Sequence, residues 1–303
     1  MSNLLNLFYN NVLPIFLAAG TGYVLSRYLR LNPRTLSQVI FYIFSPCLVF
    51  NLIRTSKLKN DDIFRMILFA AAVIIIVGVV TYAIGKLMHL ERRLMAGVLL
   101  STMFMNAGNF GLSVVLFAFG EDALAYSSLF FVTSSIMINT VGVMIASLGS
   151  ASWGQSFKNL IRLPAVYTLI LGFIFLQTGW ELPTPIERAT EVLGDAAIPG
   201  MLVLLGMQLQ FVRWKGFLGP LTLVNVMRLI VSPVIAIGLS RVFRLNGYGV
   251  EAGVLESAMP SAVLNIVVAT EYDTRPEFVT AAVTTTTLLS GITLTLVLAY
   301  LGA

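Results

Sequence analysis

The chain has 303 residues, of which 57% are hydrophobic and 11% are charged, and its formal net charge is +5. Ordinary soluble domains have about 25% charged residues, so this composition excludes a globular protein with a fully water-exposed surface. The single cysteine, Cys47, excludes an internal disulfide, and the single histidine, His89, excludes a His-rich metal site.

Apolar windows of about 20 residues recur along the chain, and this is the length that crosses a hydrocarbon core of about 30 Å. Long apolar runs without alternation, such as residues 67–80, favour helices over the strands of a barrel. We therefore expect an all-α integral membrane protein with about ten transmembrane helices. The predicted spans are residues 12–28, 36–54, 63–87, 94–118, 123–148, 163–180, 187–210, 217–242, 250–271 and 277–301.

Basic residues lie in the short loops between the apolar runs, where they orient a membrane protein rather than bind nucleic acid. With the N-terminus outside, the cytoplasmic side holds eleven: Arg27, Arg30, Arg34, Lys86, Arg92, Arg93, Lys158, Arg162, Arg213, Lys215 and Arg275. The opposite side holds seven, while Arg228 lies within a span: Arg54, Lys57, Lys59, Arg65, Arg188, Arg241 and Arg244. This bias predicts a multi-pass plasma-membrane protein with both termini outside the cytoplasm, and the basic loop at 54–65 opposes that orientation.

Short identities recur between the two halves of the chain, which indicates an internal repeat. At offsets of 150 to 156 the matches are Leu13 and Pro14 with Leu163 and Pro164, Pro46 with Pro199, residues 96–99 with 252–255, Ser101 with Ser257, and Asn109 with Asn265. Because each copy has five helices, the second copy enters the membrane inverted. We expect two inverted five-helix repeats, residues 1–150 and 151–303, the arrangement that alternating access requires. Duplication without a transport role is the alternative.

Two predicted spans contain polar breaks at matching positions. Helix four carries residues 106–111, in which two glycines loosen the helix, and helix nine carries Pro260, which cannot donate a backbone hydrogen bond. Paired broken helices indicate a midplane binding site, because half-helix N-termini present unpaired amides to an anion. The predicted substrate-binding residues are Asn106, Gly108, Asn109, Gly111, Pro260, Ser261 and Asn265. Kinks that serve only helix packing are the alternative.

Two carboxylates within the predicted spans, Glu256 and Asp195, are candidates to bind a coupling ion, because a buried carboxylate must be neutralised. Glu256 could instead form a salt bridge with Arg228. Asp195 lies four residues before Pro199 and could instead cap the second half of a broken seventh helix. The threonine run at 284–287 is interpreted as an interhelical hydrogen-bonding face rather than a substrate contact.

The chain resembles the auxin efflux carrier family in a compact prokaryotic form. The resemblance covers all ten predicted helices and is carried by residues 106–112, by residues 197–200 with Gly206, and by residues 259–272. It implies crossing broken helices related to those of bile-acid symporters and sodium/proton antiporters. Two departures are that helix four has no proline and that Ser113 stands where many members have proline. Residues 149–162 form only a short loop where plant members have a long one.

The resemblance implies a secondary active transporter for small organic anions of the malate, malonate or auxin-like carboxylate class, driven by protons or membrane potential. The second hypothesis is a sodium-coupled symporter of the bile-acid type, with Glu256 and nearby carbonyls as cation ligands. The third is a membrane sensor. No Walker motif, nucleophile elbow or zinc signature is present, so we expect neither an enzyme nor a cofactor. The expected partners are the substrate anion, H⁺ or Na⁺, the bilayer, and a second copy of the chain in a homodimer.

Overall fold

The computed structural model describes residues 2–29, 31–147, 163–208 and 217–303. The predicted short loop at 149–162 lies outside these residues, as do the ends of the spans predicted to reach residues 148 and 210. The same applies to the basic residues at 30, 158, 162, 213 and 215. In the described part of the chain the regular secondary structure is helical, without a β-sheet.

Seven helical stretches among the described residues are long and apolar enough to cross a membrane. They are Leu4–Leu29, Pro33–Thr55, Asn60–Leu87, Ala107–Ala146, Thr184–Gln208, Leu218–Val242 and Pro276–Leu301. Because backbone amides and carbonyls must be paired within each segment in lipid, this pattern is that of a multi-pass helical membrane protein. The predicted all-α class is confirmed.

We number the helices in chain order. Gly120, with φ of 77° and ψ of −167°, divides the stretch at 107–146 into two helices. The helices are α1 Leu4–Leu29, α2 Pro33–Thr55, α3 Asn60–Leu87, α4 Arg92–Met103, α5 107–119, α6 121–146, α7 Pro164–Thr178, α8 Thr184–Gln208, α9 Leu218–Val242, α10 Tyr248–Ser257, α11 Leu264–Glu271 and α12 Pro276–Leu301.

Three prolines inside long helices are preceded by a turn of π-helix that ends two residues earlier. These turns are Phe8–Val12 before Pro14, Ile40–Phe44 before Pro46, and Met227–Val231 before Pro233. Proline lacks an amide hydrogen and clashes with the carbonyl four residues before it, so a locally wider helix accommodates the ring. Pro46 therefore widens α2 and does not break it.

Helices α1, α2, α7 and α8 pack against one another as one group. Added methyl groups at Gly22 and Gly206 would overlap the carbonyl oxygens of Val203 and Ala19, so α1 and α8 can approach this closely only with glycine at both positions. At one end of the group, the Arg54 guanidinium of α2 forms an ion pair with Glu187 of α8, with an N···O distance of 3.0 Å.

A second group of helices contains both breaks. α4 and α5 are separated by the non-helical residues 104–106, and α10 and α11 by residues 258–263. The two breaks therefore lie close to the predicted positions. Gly108 and Gly111 lie in a π-helical turn at residues 107–112, so the break comes just before the two glycines, at the N-terminal edge of the predicted range 106–111.

Candidate functional site

The two breaks cross each other and form backbone hydrogen bonds. Met105 and Ser261 face each other as an isolated antiparallel bridge. The Asn106 amide donates to the Pro260 carbonyl over 2.7 Å, and the Ala262 amide donates to the Phe104 carbonyl over 3.0 Å. Non-helical backbone in a membrane needs such partners, because an unpaired amide or carbonyl costs several kcal/mol in lipid. Each break therefore satisfies the backbone of the other.

The C-terminal ends of α4 and α10 meet at one buried arginine. The Arg228 guanidinium, on α9, donates to the carbonyl of Thr102 over 2.6 Å and to the carbonyl of Ser257. It also donates to the Ser232 hydroxyl over 2.5 Å. Each helix C-terminus carries about half a negative charge, so two of them can balance one guanidinium without water.

The N-terminal ends of α5 and α11 border a cavity of about 140 Å³. Residues 104–109 and 262–264 line it from the two breaks, and residues of α2, α6 and α8 contribute the rest of its lining. The first amides of a helix have no partner within the helix and carry about half a positive charge. Two such ends facing one cavity make it favourable for an anion.

Three of the predicted substrate-binding residues line this cavity: Asn106, Gly108 and Asn109. Asn106 is buried, and its side-chain amide nitrogen has no hydrogen-bond partner among the described residues. Asn109 is half-buried. Both amides are therefore available to a ligand in the cavity.

The other four predicted substrate-binding residues do not line the cavity. Asn265 is fully buried, and its amide nitrogen donates to the Phe104 carbonyl over 2.9 Å and to the Ser261 hydroxyl over 3.0 Å. Pro260 contributes its carbonyl to the crossing. Gly111 lies against Glu256, whose carboxylate an added methyl group would overlap. Pro260, Ser261 and Asn265 therefore hold the crossing together, and Gly111 makes room for the Glu256 carboxylate.

The two candidate carboxylates have different surroundings. Glu256 is fully buried; Oε1 accepts a hydrogen bond from the Ser127 hydroxyl, and Oε2 has no partner among the described residues. The guanidinium of Arg228 bonds the backbone carbonyls near it, and the salt bridge between these two residues that the sequence left open is not formed. Asp195 is exposed and lies outside the cavity.

Sequence reasoning missed five polar residues of the cavity, on α2, α6 and α8: Ser37, Ser45, Ser134, Ser135 and Gln208. Serine is common at helix contacts in membranes, so nothing in its local sequence separates a cavity serine from a packing serine. The run at 284–287 does act between helices, as predicted: the Thr286 hydroxyl accepts from the Ser261 amide over 3.1 Å, and the Thr285 hydroxyl accepts from Asn225 over 3.0 Å.

The chain is similar to known transporters over most of its length. A family model described as membrane transport protein matches residues 7–153 and 150–298. An uncharacterized transporter of Methanothermobacter thermautotrophicus is 27% identical over 266 residues, which are 86% of this chain and 87% of that protein. A protein of Rhizobium meliloti, provisionally named a malonate transporter, is 25% identical over 298 residues, 94% of this chain and 92% of its own.

Plant proteins match part of the chain. Auxin efflux carrier component 8 of Arabidopsis thaliana is 25% identical over 137 residues, which are 43% of this chain and 37% of that protein. The relatives are named as transporters and not as enzymes. Since the family model covers nearly the whole sequence, the chain belongs to the membrane transport protein family that includes the auxin efflux carriers.

Proposed function

We propose that this protein is a secondary active transporter that moves small organic anions across the plasma membrane by alternating access. The observation that carries the proposal is that the N-terminal ends of α5 and α11 border one cavity with the amides of Asn106 and Asn109. Helix ends and neutral amides attract a carboxylate without adding a full charge, so the anion can also leave.

The size of the cavity supports a small substrate. Pockets for drug-sized ligands have volumes of about 300–1,000 Å³, whereas this one is about 140 Å³. A short mono- or dicarboxylate such as malonate or malate fits that scale. The relative named a malonate transporter supports the same class.

The predicted inverted repeats support a mechanism of alternating access. The two hydrogen bonds of the crossing are equivalent under an offset of 156 residues, because Phe104 corresponds to Pro260 and Asn106 to Ala262. The side-chain bonds of Ser101 to the Gly97 carbonyl and of Ser257 to the Gly253 carbonyl, of 2.8 and 2.7 Å, follow the same offset. We propose ten helices in two inverted repeats, residues 1–150 and 151–303, that exchange two pseudo-equivalent conformations.

For the coupling we favour protons or membrane potential over sodium. In broken-helix transporters, coupling cations bind at unwound carbonyls and at half-helix C-terminal ends. Here the Arg228 guanidinium already bonds the carbonyls of Thr102 and Ser257 at those ends. The buried carboxylate of Glu256 remains as a proton site, since its Oε2 has no partner among the described groups.

For the orientation we propose that both termini lie outside the cytoplasm, from the bias of basic residues. Cysteines introduced at residues 3 and 303 in a Cys47→Ala background should react with a membrane-impermeant reagent in intact cells. Labelling that requires lysis would reverse the assignment.

The experiment for the function uses purified protein in two forms. In detergent, malonate or malate should raise the melting temperature more than a matched uncharged diamide. In proteoliposomes, the same anion should exchange by counterflow, and replacing sodium with choline should leave the rate unchanged. Loss of transport in choline would favour the sodium-coupled symporter, and carboxylate binding without counterflow would favour a sensor. No response to any carboxylate would overturn the proposed substrate class.

A further inference from the structure

On the surface that faces lipid, an apolar groove runs between α3, α4 and α6. Its volume is about 260 Å³. The residues that form it include Ile75, Val79 and Tyr82 of α3, Leu99 of α4, and Val141 and Ile145 of α6. Ile75, Val79 and Tyr82 are each at least half exposed, so the groove opens to the membrane and not to the protein interior.

The groove leads to a basic pocket at the C-terminal end of α3. This pocket has a volume of about 410 Å³, and Tyr82 belongs to both depressions. Lys86, His89 and Arg92 line it, and no acidic residue does so in the described structure. The nearby Glu91 carboxylate accepts a hydrogen bond from the Arg275 guanidinium and is not part of the pocket lining.

The length of α3 places the pocket at the level of lipid headgroups. Its 28 residues span about 42 Å at 1.5 Å per residue, and a bilayer with its headgroups is about 40–45 Å thick. Lys86 is one residue from the C-terminal end of the helix, so it lies among headgroups, and Ile75 lies about 16 Å deeper, among acyl chains.

We propose that this groove and pocket form a binding site for one anionic phospholipid, with its phosphate against Lys86 and Arg92 and an acyl chain along Ile75, Val79 and Val141. Basic pockets between helices on the cytoplasmic side bind anionic headgroups, and anionic lipids are concentrated in that leaflet. The proposed orientation of the chain puts Lys86 on that side. The site is separate from the cavity at the crossing and does not depend on the transported substrate.

The test is lipid binding by the purified full-length protein. In native mass spectrometry with equal phosphatidylglycerol and phosphatidylcholine of the same acyl chains, one phosphatidylglycerol should be retained preferentially. In thermal melting, phosphatidylglycerol should stabilise the protein, whereas inorganic phosphate and the deacylated headgroup glycerophosphoglycerol should not, because they leave the groove empty. No preference for the anionic lipid, or equal stabilisation by phosphate alone, would overturn the proposal.

Substitutions of the basic residues test whether the lipid binds at this pocket. Lys86→Gln with Arg92→Gln should lower the preference about fivefold for each charge removed, the usual effect of a basic side chain near an anionic surface. The matched control is Lys57→Gln with Lys59→Gln, which removes two exposed charges at the opposite end of α3. An equal loss in the control would show non-specific attraction and reject the site. If the Lys86→Gln, Arg92→Gln protein does not fold, the preference of the unmodified protein for phosphatidylglycerol still tests the proposal.

Discussion

Asn109 and Asn265 occupy equivalent places after the two breaks, yet their surroundings differ. Asn109 is half-buried and lines the cavity, whereas Asn265 is fully buried and bonds the Phe104 carbonyl and the Ser261 hydroxyl. The amide after the first break faces the cavity, and the amide after the second bonds the residues of the crossing. In the proposed repeats two residues can share a position along the chain, but their contacts follow from the helices packed around them.

The same offset of 156 relates Gly111 to Val267, and this pair also differs. Gly111 leaves space for the buried carboxylate of Glu256, and Val267 lines the cavity as an apolar wall. The buried carboxylate of Glu256 therefore lies beside Gly111, whereas the equivalent position, Val267, borders the cavity. In a carrier with two pseudo-equivalent states, such an asymmetry can separate the ion site from the substrate site.

The first prediction has the largest expected effect and concerns Arg228, which bonds the helix C-termini at both breaks. Arg228→Met removes the positive charge at two half-helix C-termini and leaves the buried Thr102 carbonyl without its donor, and an unsatisfied buried group costs about 1–3 kcal/mol. We expect a marked fall in the melting temperature of the purified protein, with a smaller fall for Arg228→Lys. Arg241→Met, at an exposed site on the same helix, is the control. A higher melting temperature in Arg228→Met would mean that the guanidinium is an uncompensated buried charge.

The second prediction tests the asparagine comparison directly. Asn109→Ala should weaken carboxylate binding about ten- to a hundredfold, the loss of one hydrogen bond to a charged ligand, and leave the melting temperature nearly unchanged. Asn265→Ala should lower the melting temperature, because the crossing loses two bonds, and leave the affinity of the folded protein within about twofold. Titration calorimetry and thermal melting on both variants provide the two readouts. The reverse pattern would exchange the two roles.

The third prediction concerns the carboxylate on one side of the crossing. Glu256→Gln keeps the shape and removes the ionisable group, so transport should lose most of its dependence on pH while the substrate still binds. The exposed Asp195→Asn is the matched control and should keep the dependence of the unmodified protein. Rates are compared in proteoliposomes across a pH series. An unchanged profile in Glu256→Gln would leave that carboxylate with a structural role alone.

The sequence predicted the helical class and the vicinity of both breaks, because composition and Pro260 act through local physics. Of the three asparagines predicted to bind substrate, the structure places Asn106 and Asn109 in the cavity lining. The sequence did not separate Asn109 from Asn265, since that difference depends on which carbonyl the crossing brings within reach. The contacts of Arg228 could not be predicted either. Thr102 and Ser257 are far from it in sequence, and they accept through backbone carbonyls, which every residue has.

The hydrogen bonds of the crossing also bear on how the protein is made. During synthesis the backbone of residues 104–106 enters the bilayer long before Pro260 and Ala262, which supply its partners. Until then these amides and carbonyls cannot form the hydrogen bonds of the crossing, and the segment must be paired within a continuous helix or by water. The crossing is therefore completed only when the C-terminal third of the chain is inserted, and a chain that stops before residue 260 cannot form it.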